Sequence, residues 1–165
     1  MQATVELALR TREVYKLFKR TINGDRLFID AILHKFKIVM DQHKRQIPSR
    51  LIAFNEIEQA MLTLTQQFSD EISRYEKILA QRKASANKKI SFIEQFHPSI
   101  IVSNALCMHL IEFFEMYDQL VALIKLLHLA GCFSSDNDYY ANIQRIQTAA
   151  NRMLSRVMLT PTVPT

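Results

Sequence analysis

Gly24 and Gly131 are the only glycines in the chain. At ordinary frequency a chain of 165 residues would carry about eleven. Sheets joined by tight hairpins consume glycine wherever the backbone must take a positive φ, whereas long helices do without it. The scarcity therefore predicts a fold that is mainly all-α. The prolines agree, because Pro48, Pro98, Pro161 and Pro164 lie between or beyond the periodic apolar segments, where a missing N–H is tolerated.

Apolar spacing predicts about five helices packed as a bundle. The first starts near Thr11, carries Val14, Leu17 and Phe18 on one face, and stops at Asn23-Gly24. The second begins at Asp25, whose carboxylate can cap free N–H groups, and runs to about Gln46 through Leu27, Phe28, Ile32, Leu33, Phe36 and Val39. After a break at Pro48 and Ser49, a long third helix steps through Ile57, Met61, Leu64, Phe68, Ile72, Tyr75 and Leu79. These near-heptad steps describe a seam that requires a helix alongside it. Residues 82–89 read as a loop and residues 90–96 as a short extended piece. A fourth helix from Pro98 to the stop at Gly131 is apolar all round and belongs at the centre. A fifth begins at Asp136 with Tyr139, Ile143, Ile146, Ala150, Met153 and Val157 on one face. The Thr- and Pro-rich residues 159–165 read as a flexible tail.

Charge divides the chain. Residues 1–50 hold 11 Lys+Arg against 5 Asp+Glu, a balance of +6, and the remainder hold 10 against 11, a balance of −1, which together give +5. So local an excess is the electrostatic footprint of a polyanion-binding surface. The most apolar stretch is interrupted by Glu112, Glu115, Asp118 and Lys125 and reads as a buried helix, not a membrane span. Cys107 and Cys132 have no metal-type spacing and fit inert thiols in a reducing cytosol. Together these predict a cytoplasmic protein with no membrane partner.

Catalytic signatures are absent: the sequence contains no glycine-rich phosphate loop, no G-x-S-x-G and no H-E-x-x-H. The expectation is no enzyme, no cofactor and no metal. His109, Glu112 and Glu115 share one helix at i, i+3 and i+6, but a carboxylate metal site in a bundle needs a matching set on a facing helix. His97 and His128 sit at helix ends, where capping is the commoner role. Met61, Met108, Met116 and Met153 fall in apolar stripes and read as core filling. Tyr139 and Tyr140 can pack internally or stack on a partner.

The beginning is more informative. In TVELALR, Val5, Leu7 and Leu9 alternate with Thr4, Glu6, Ala8 and Arg10, the period-two signature of a half-buried strand. A lone strand needs an edge, and the same strand from a second copy, antiparallel across a two-fold axis, would supply it. Strand, helix, glycine turn and second helix is the order of a ribbon-helix-helix module, in which an intersubunit ribbon enters the major groove of double-stranded DNA. On this reading Thr4 and Arg10 face base edges, while Lys16, Lys19, Arg20 and Arg26 neutralise phosphates. Gly24 to Arg26 would anchor a phosphate at the start of the second helix. Glu6 runs against the pattern, since phosphates repel a carboxylate. Val5 and Leu9 are also spaced i, i+4, so residues 3–22 as a single amphipathic helix remains a competing reading.

The stretch LALRTREVYKLFKRT, residues 7–21, resembles the opening of the AcaB-like proteins, transcriptional regulators carried on conjugative plasmids and integrative conjugative elements. The order that follows is also similar: a long Glu-rich helix, a short extended stretch, then an apolar helix ending in LLHLAGCFSSDNDYYANI before a last helix. The resemblance implies DNA binding in the control of transfer genes, with Arg12 and Arg20 as basic contacts. The expected organisation is a DNA-binding strand-helix-helix in residues 1–47, a helical region in 48–158 that holds a homodimer or higher oligomer, and the tail. The alternative is a helical adaptor or structural protein of a secretion or conjugation system that binds another protein through the 57–79 seam.

Overall fold

The structure is a computed structural model that describes residues 1–45, 48–82 and 92–162, with the side chains of 48–51 left aside. Its elements along the chain are β1 (Ala3–Glu6), α1 (Arg12–Lys19), β2 (Thr21–Ile22), β3 (Arg26–Leu27), α2 (Phe28–Lys44), α3 (Pro48–Ala80), β4 (Ser99–Val102), α4 (Ala105–Leu129) and α5 (Asp136–Leu159). The protein is mainly helical, with five helices and two small antiparallel strand pairs among the described residues.

A helix apolar on every side must be wrapped by its neighbours, and α4 is. Leu110, Phe113, Phe114, Leu120, Val121 and Ile124 are fully buried along it. The α3 seam supplies one wall: Ile57, Met61, Leu64, Phe68 and Ile72 are buried, and Phe68 packs on Phe113 and Tyr117 with ring centroids 5.8 Å apart in each pair. The helix that the seam requires is therefore α4 of the same chain. Helix α5 completes the wrap through Ile143, Ile146, Ala150, Leu154 and Val157. Met61 and Met153 are core residues as expected, whereas Met108 is exposed.

At the N-terminus the strand reading holds over the continuous helix, and α1 starts only at Arg12. Its partner differs from the expected ribbon. β1 pairs antiparallel with β4 of its own chain, from Ala3 opposite Val102 to Glu6 opposite Ser99. The ladder continues past the strand as Leu7 donates to the Pro98 carbonyl at 2.8 Å and Leu9 and Phe96 exchange N–H···O bonds of 2.8 Å each. The reason lies in Ser99-Ile100-Ile101-Val102, whose β-branched run favours a strand and offers an edge in the same molecule. Pro98 accordingly precedes a strand instead of opening a helix. Asn104 caps α4, its side chain accepting from the N–H groups of Leu106 and Cys107. The extended segment thus lies later than 90–96; residues 83–91, with most of the expected loop, fall outside the described residues.

A second correction concerns the start of α2. Asn23 and Gly24 take φ of 48° and 93° within the three-residue loop, Asn23 to Asp25, of a hairpin in which Thr21 pairs with Leu27 and Ile22 with Arg26; Asn and Gly are the residues that take positive φ in such turns most readily. The helix then begins at Phe28 after Leu27, without a side-chain cap, so Asp25 belongs to the turn.

Candidate nucleic-acid interface

The basic residues of the N-terminal part divide into two groups. Arg10 and Arg12 are engaged by internal carboxylates. Asp118, buried at 3 % exposure, accepts from the Arg10 N–H at 3.1 Å through each oxygen and from the Thr11 N–H at 3.0 Å and hydroxyl at 2.7 Å. The Arg10 Nε lies 3.6 Å from the same carboxylate. Arg12 grips Glu94 with two guanidinium nitrogens, one of them Nε at 2.6 Å. That hydrogen bond and charge raise the Arg12 pKa and lower that of Glu94.

Lys16, Lys19, Arg20 and Arg26 behave differently. All four are exposed, and none forms a salt bridge among the described residues. The Lys19 ammonium lies 4.9 Å from the Tyr15 ring centroid and the Arg20 guanidinium 4.3 Å from that of Phe28, contacts that orient a cation without neutralising it. Thr4 is exposed on β1 opposite Ile101. Gly24 is exposed in the hairpin turn and Arg26 sits in β3, so the phosphate anchor expected at a helix N-terminus is not formed by residues 24–26. Glu6, which opposes a polyanion, lies 3.5 Å from His97.

Helix α5 adds cations that the half-chain charge count concealed. Arg20 at the end of α1 shares an open trough of about 860 Å³ with Arg152 and Arg156 of α5 and Glu56 of α3. A smaller hollow beside it brings in Lys16, Gln147 and Asn151. Arg145, one turn or more away, is held by the buried Glu71; Arg152 and Arg156 form no salt bridge among the described residues. The carbonyls that end α5 are met instead by Lys35, whose ammonium donates to those of Met158 and Thr160 and whose pKa is lowered by burial. One sequence signal was available: after Asp138 the chain contains Arg145, Arg152 and Arg156 and no acidic residue.

Of the histidine and glutamate set on α4, His109 faces Glu58 at 3.4 Å, while Glu112 and Glu115 are exposed. Among the described residues no group of three or more His, Cys, Asp or Glu is arranged to hold a metal ion, and no helix is long and apolar enough to cross a membrane. His128 stacks on Tyr139 with centroids 4.1 Å apart, and Tyr140 is exposed.

No protein-family model matches the sequence, and no curated protein does. Structure is more informative. The crystal structure of selenomethionine-containing AcaB from uropathogenic E. coli superposes with a TM-score of 0.66, covering 95 % of this chain and 77 % of the other at 10 % sequence identity. The fold is that of AcaB. At such low identity what AcaB shares with this chain is the path of the backbone, and the match extends over nearly all of it. It agrees with the resemblance carried by residues 7–21, which was confined to sequence.

Proposed function

We propose that the protein is a double-stranded DNA-binding transcriptional regulator, acting as a homodimer or higher homo-oligomer on transfer genes of a mobile element. The observation that carries this reading is the division among the N-terminal cations. Arg10 and Arg12 have carboxylate partners, whereas Lys16, Lys19, Arg20 and Arg26 are exposed and in no salt bridge among the described residues. Cations left unneutralised by internal carboxylates, clustered in one part of the chain, raise the local concentration of an external polyanion. The AcaB fold and the resemblance of residues 7–21 to regulators of conjugative elements support the transcriptional setting.

The test is duplex binding as a function of salt. Four neutralised phosphates give a log–log slope of roughly −3 to −4, at about −0.9 for each. Lys16→Ala should weaken cognate and unrelated duplexes alike and bring the slope about one unit closer to zero. A flat slope, or no binding at low salt, removes this function.

A further inference from the structure

We propose that the C-terminal half of α5 is part of the same anion-binding surface, with Arg152 and Arg156 joining Arg20 to hold the phosphates of a nucleic-acid backbone. The inference rests on the DNA-binding reading and moves its phosphate contacts well beyond the N-terminal region.

Arg152 and Arg156 are spaced i, i+4, which stacks them one turn apart on one helix face, about 6 Å along the axis. Both are exposed and both border the trough that Arg20 borders from α1. Among the described residues that line it, three guanidiniums against the single carboxylate of Glu56 give this trough a net positive charge. Two ordinary uses of a cation are already excluded for this pair. Internal neutralisation is seen at Arg145 with Glu71 but, among the described residues, not at Arg152 or Arg156. Capping of the α5 carbonyls, a common role for a basic residue in the last turn, is performed by Thr160 at Arg156 and Val157 and by Lys35 at Met158. The rest of the lining suits phosphate oxygens as well, because Thr148, Asn151 and Ser155 supply neutral donors around the arginines. The trough is open, not enclosed, and it continues toward Lys16 through the hollow that Arg20 and Asn151 share, whose one carboxylate among the described residues, Glu13, is paired with Lys125. An open run of cations contributed by two helices fits a polymer strand passing across α1 and α5 better than a small anion, which binds where it can be surrounded.

Glu56 gives the proposal a test of opposite sign. Duplex affinity and its salt slope would be measured by fluorescence anisotropy for the wild-type chain and for R152Q, R156Q, the double variant, E56Q and K77Q. Lys77 is exposed on α3 and lies about 30 Å from Glu56 along the helix at 1.5 Å per residue. Each arginine replacement should weaken binding several-fold and bring the slope about 0.9 closer to zero, and the double variant about 1.8. E56Q should tighten binding, and K77Q should leave it unchanged. Thermal unfolding of each variant separates lost contact from lost fold, and a variant that unfolds early is replaced by Arg→Lys at the same position, which should retain the salt slope. Wild-type affinity and slope in the double variant, with unchanged E56Q, overturn the α5 track and leave the N-terminal reading intact. Absence of duplex binding by the wild-type chain overturns both.

Discussion

At the residue scale, Asp118 holds the residues that lead into α1. Thr11 occupies the N-cap with extended backbone, yet its side chain makes no capping bond within the helix; its hydroxyl donates instead to Asp118 on α4. A tertiary carboxylate thus anchors the two residues that lead into the helix, collecting donors from Arg10 and Thr11 just ahead of the helix N-terminus, where negative charge is favoured. Asp118→Ala leaves those donors facing a void. Hydrogen bonds to a charged group contribute about 1.5–3 kcal/mol, and buried unsatisfied donors cost a similar amount, so a loss of about 3 kcal/mol is expected in denaturant unfolding. Asp118→Asn, which keeps the shape and one acceptor, should lose less. A loss under about 1 kcal/mol for the alanine variant would show that the network is incidental. Sequence could identify Thr11 as the boundary, because cap residues are local. It could not find Asp118, which lies 107 residues away and looked like an interruption of an apolar helix.

At the element scale, the alternation of TVELALR was legible and its pairing was not. Leu7 and Leu9 are buried while Thr4, Glu6, Ala8 and Arg10 are exposed, as a period of two dictates. Alternation reports which face is covered, but a strand's partner is a question of topology. The β-branched run 99–102 is that partner, but Pro98 ahead of it is equally favourable at the start of a helix, so its residue types alone fit either element. Register predicts a contrast between neighbours on β4. Ile100 is fully buried and Ile101 is 55 % exposed, so Ile100→Ala should cost about 2–5 kcal/mol and Ile101→Thr within about 0.5 kcal/mol of nothing. Chemical denaturation of the two variants measures both, and equal losses would mean that β4 does not sit in this register. The hairpin at residues 21–27 was missed for a related reason: Asn23-Gly24 signals a turn equally well between helices or between strands, and strands of two residues have no period to detect.

At the scale of the whole molecule, the charge boundary near residue 50 does not coincide with a boundary in the core. Leu7, Leu9, Val14 and Leu17 belong to the same hydrophobic cluster as Ile100, Phe114, Ile124 and Val157. Phe18 packs on Phe114 with centroids 4.8 Å apart, and Lys125 on α4 donates to Glu13 on α1 at 2.8 Å. The basic N-terminal segment is therefore held against the central helix that a half-chain division assigns to oligomerisation, and its cations keep fixed positions relative to those of α5. Such an arrangement predicts one cooperative unfolding transition, with the Leu7 and Leu9 amides exchanging hydrogen at the same free energy as those in the middle of α4. It also predicts that removing residues 1–10 is costly. Burying a leucine side chain contributes about 1.5–3 kcal/mol, so losing Leu7 and Leu9 removes about 3–6 kcal/mol from a total of typically 5–15 kcal/mol. A domain of this size loses about 2–4 °C per kcal/mol, which places the melting temperature of the shortened chain roughly 6–24 °C below that of the full chain. Calorimetry of both chains, with exchange measured on the full one, provides the check. Two resolved transitions, or a shortened chain as stable as the whole, would mean that the N-terminal segment is an appendage whose cations move independently of α5, and a phosphate track shared between them would then have no fixed geometry.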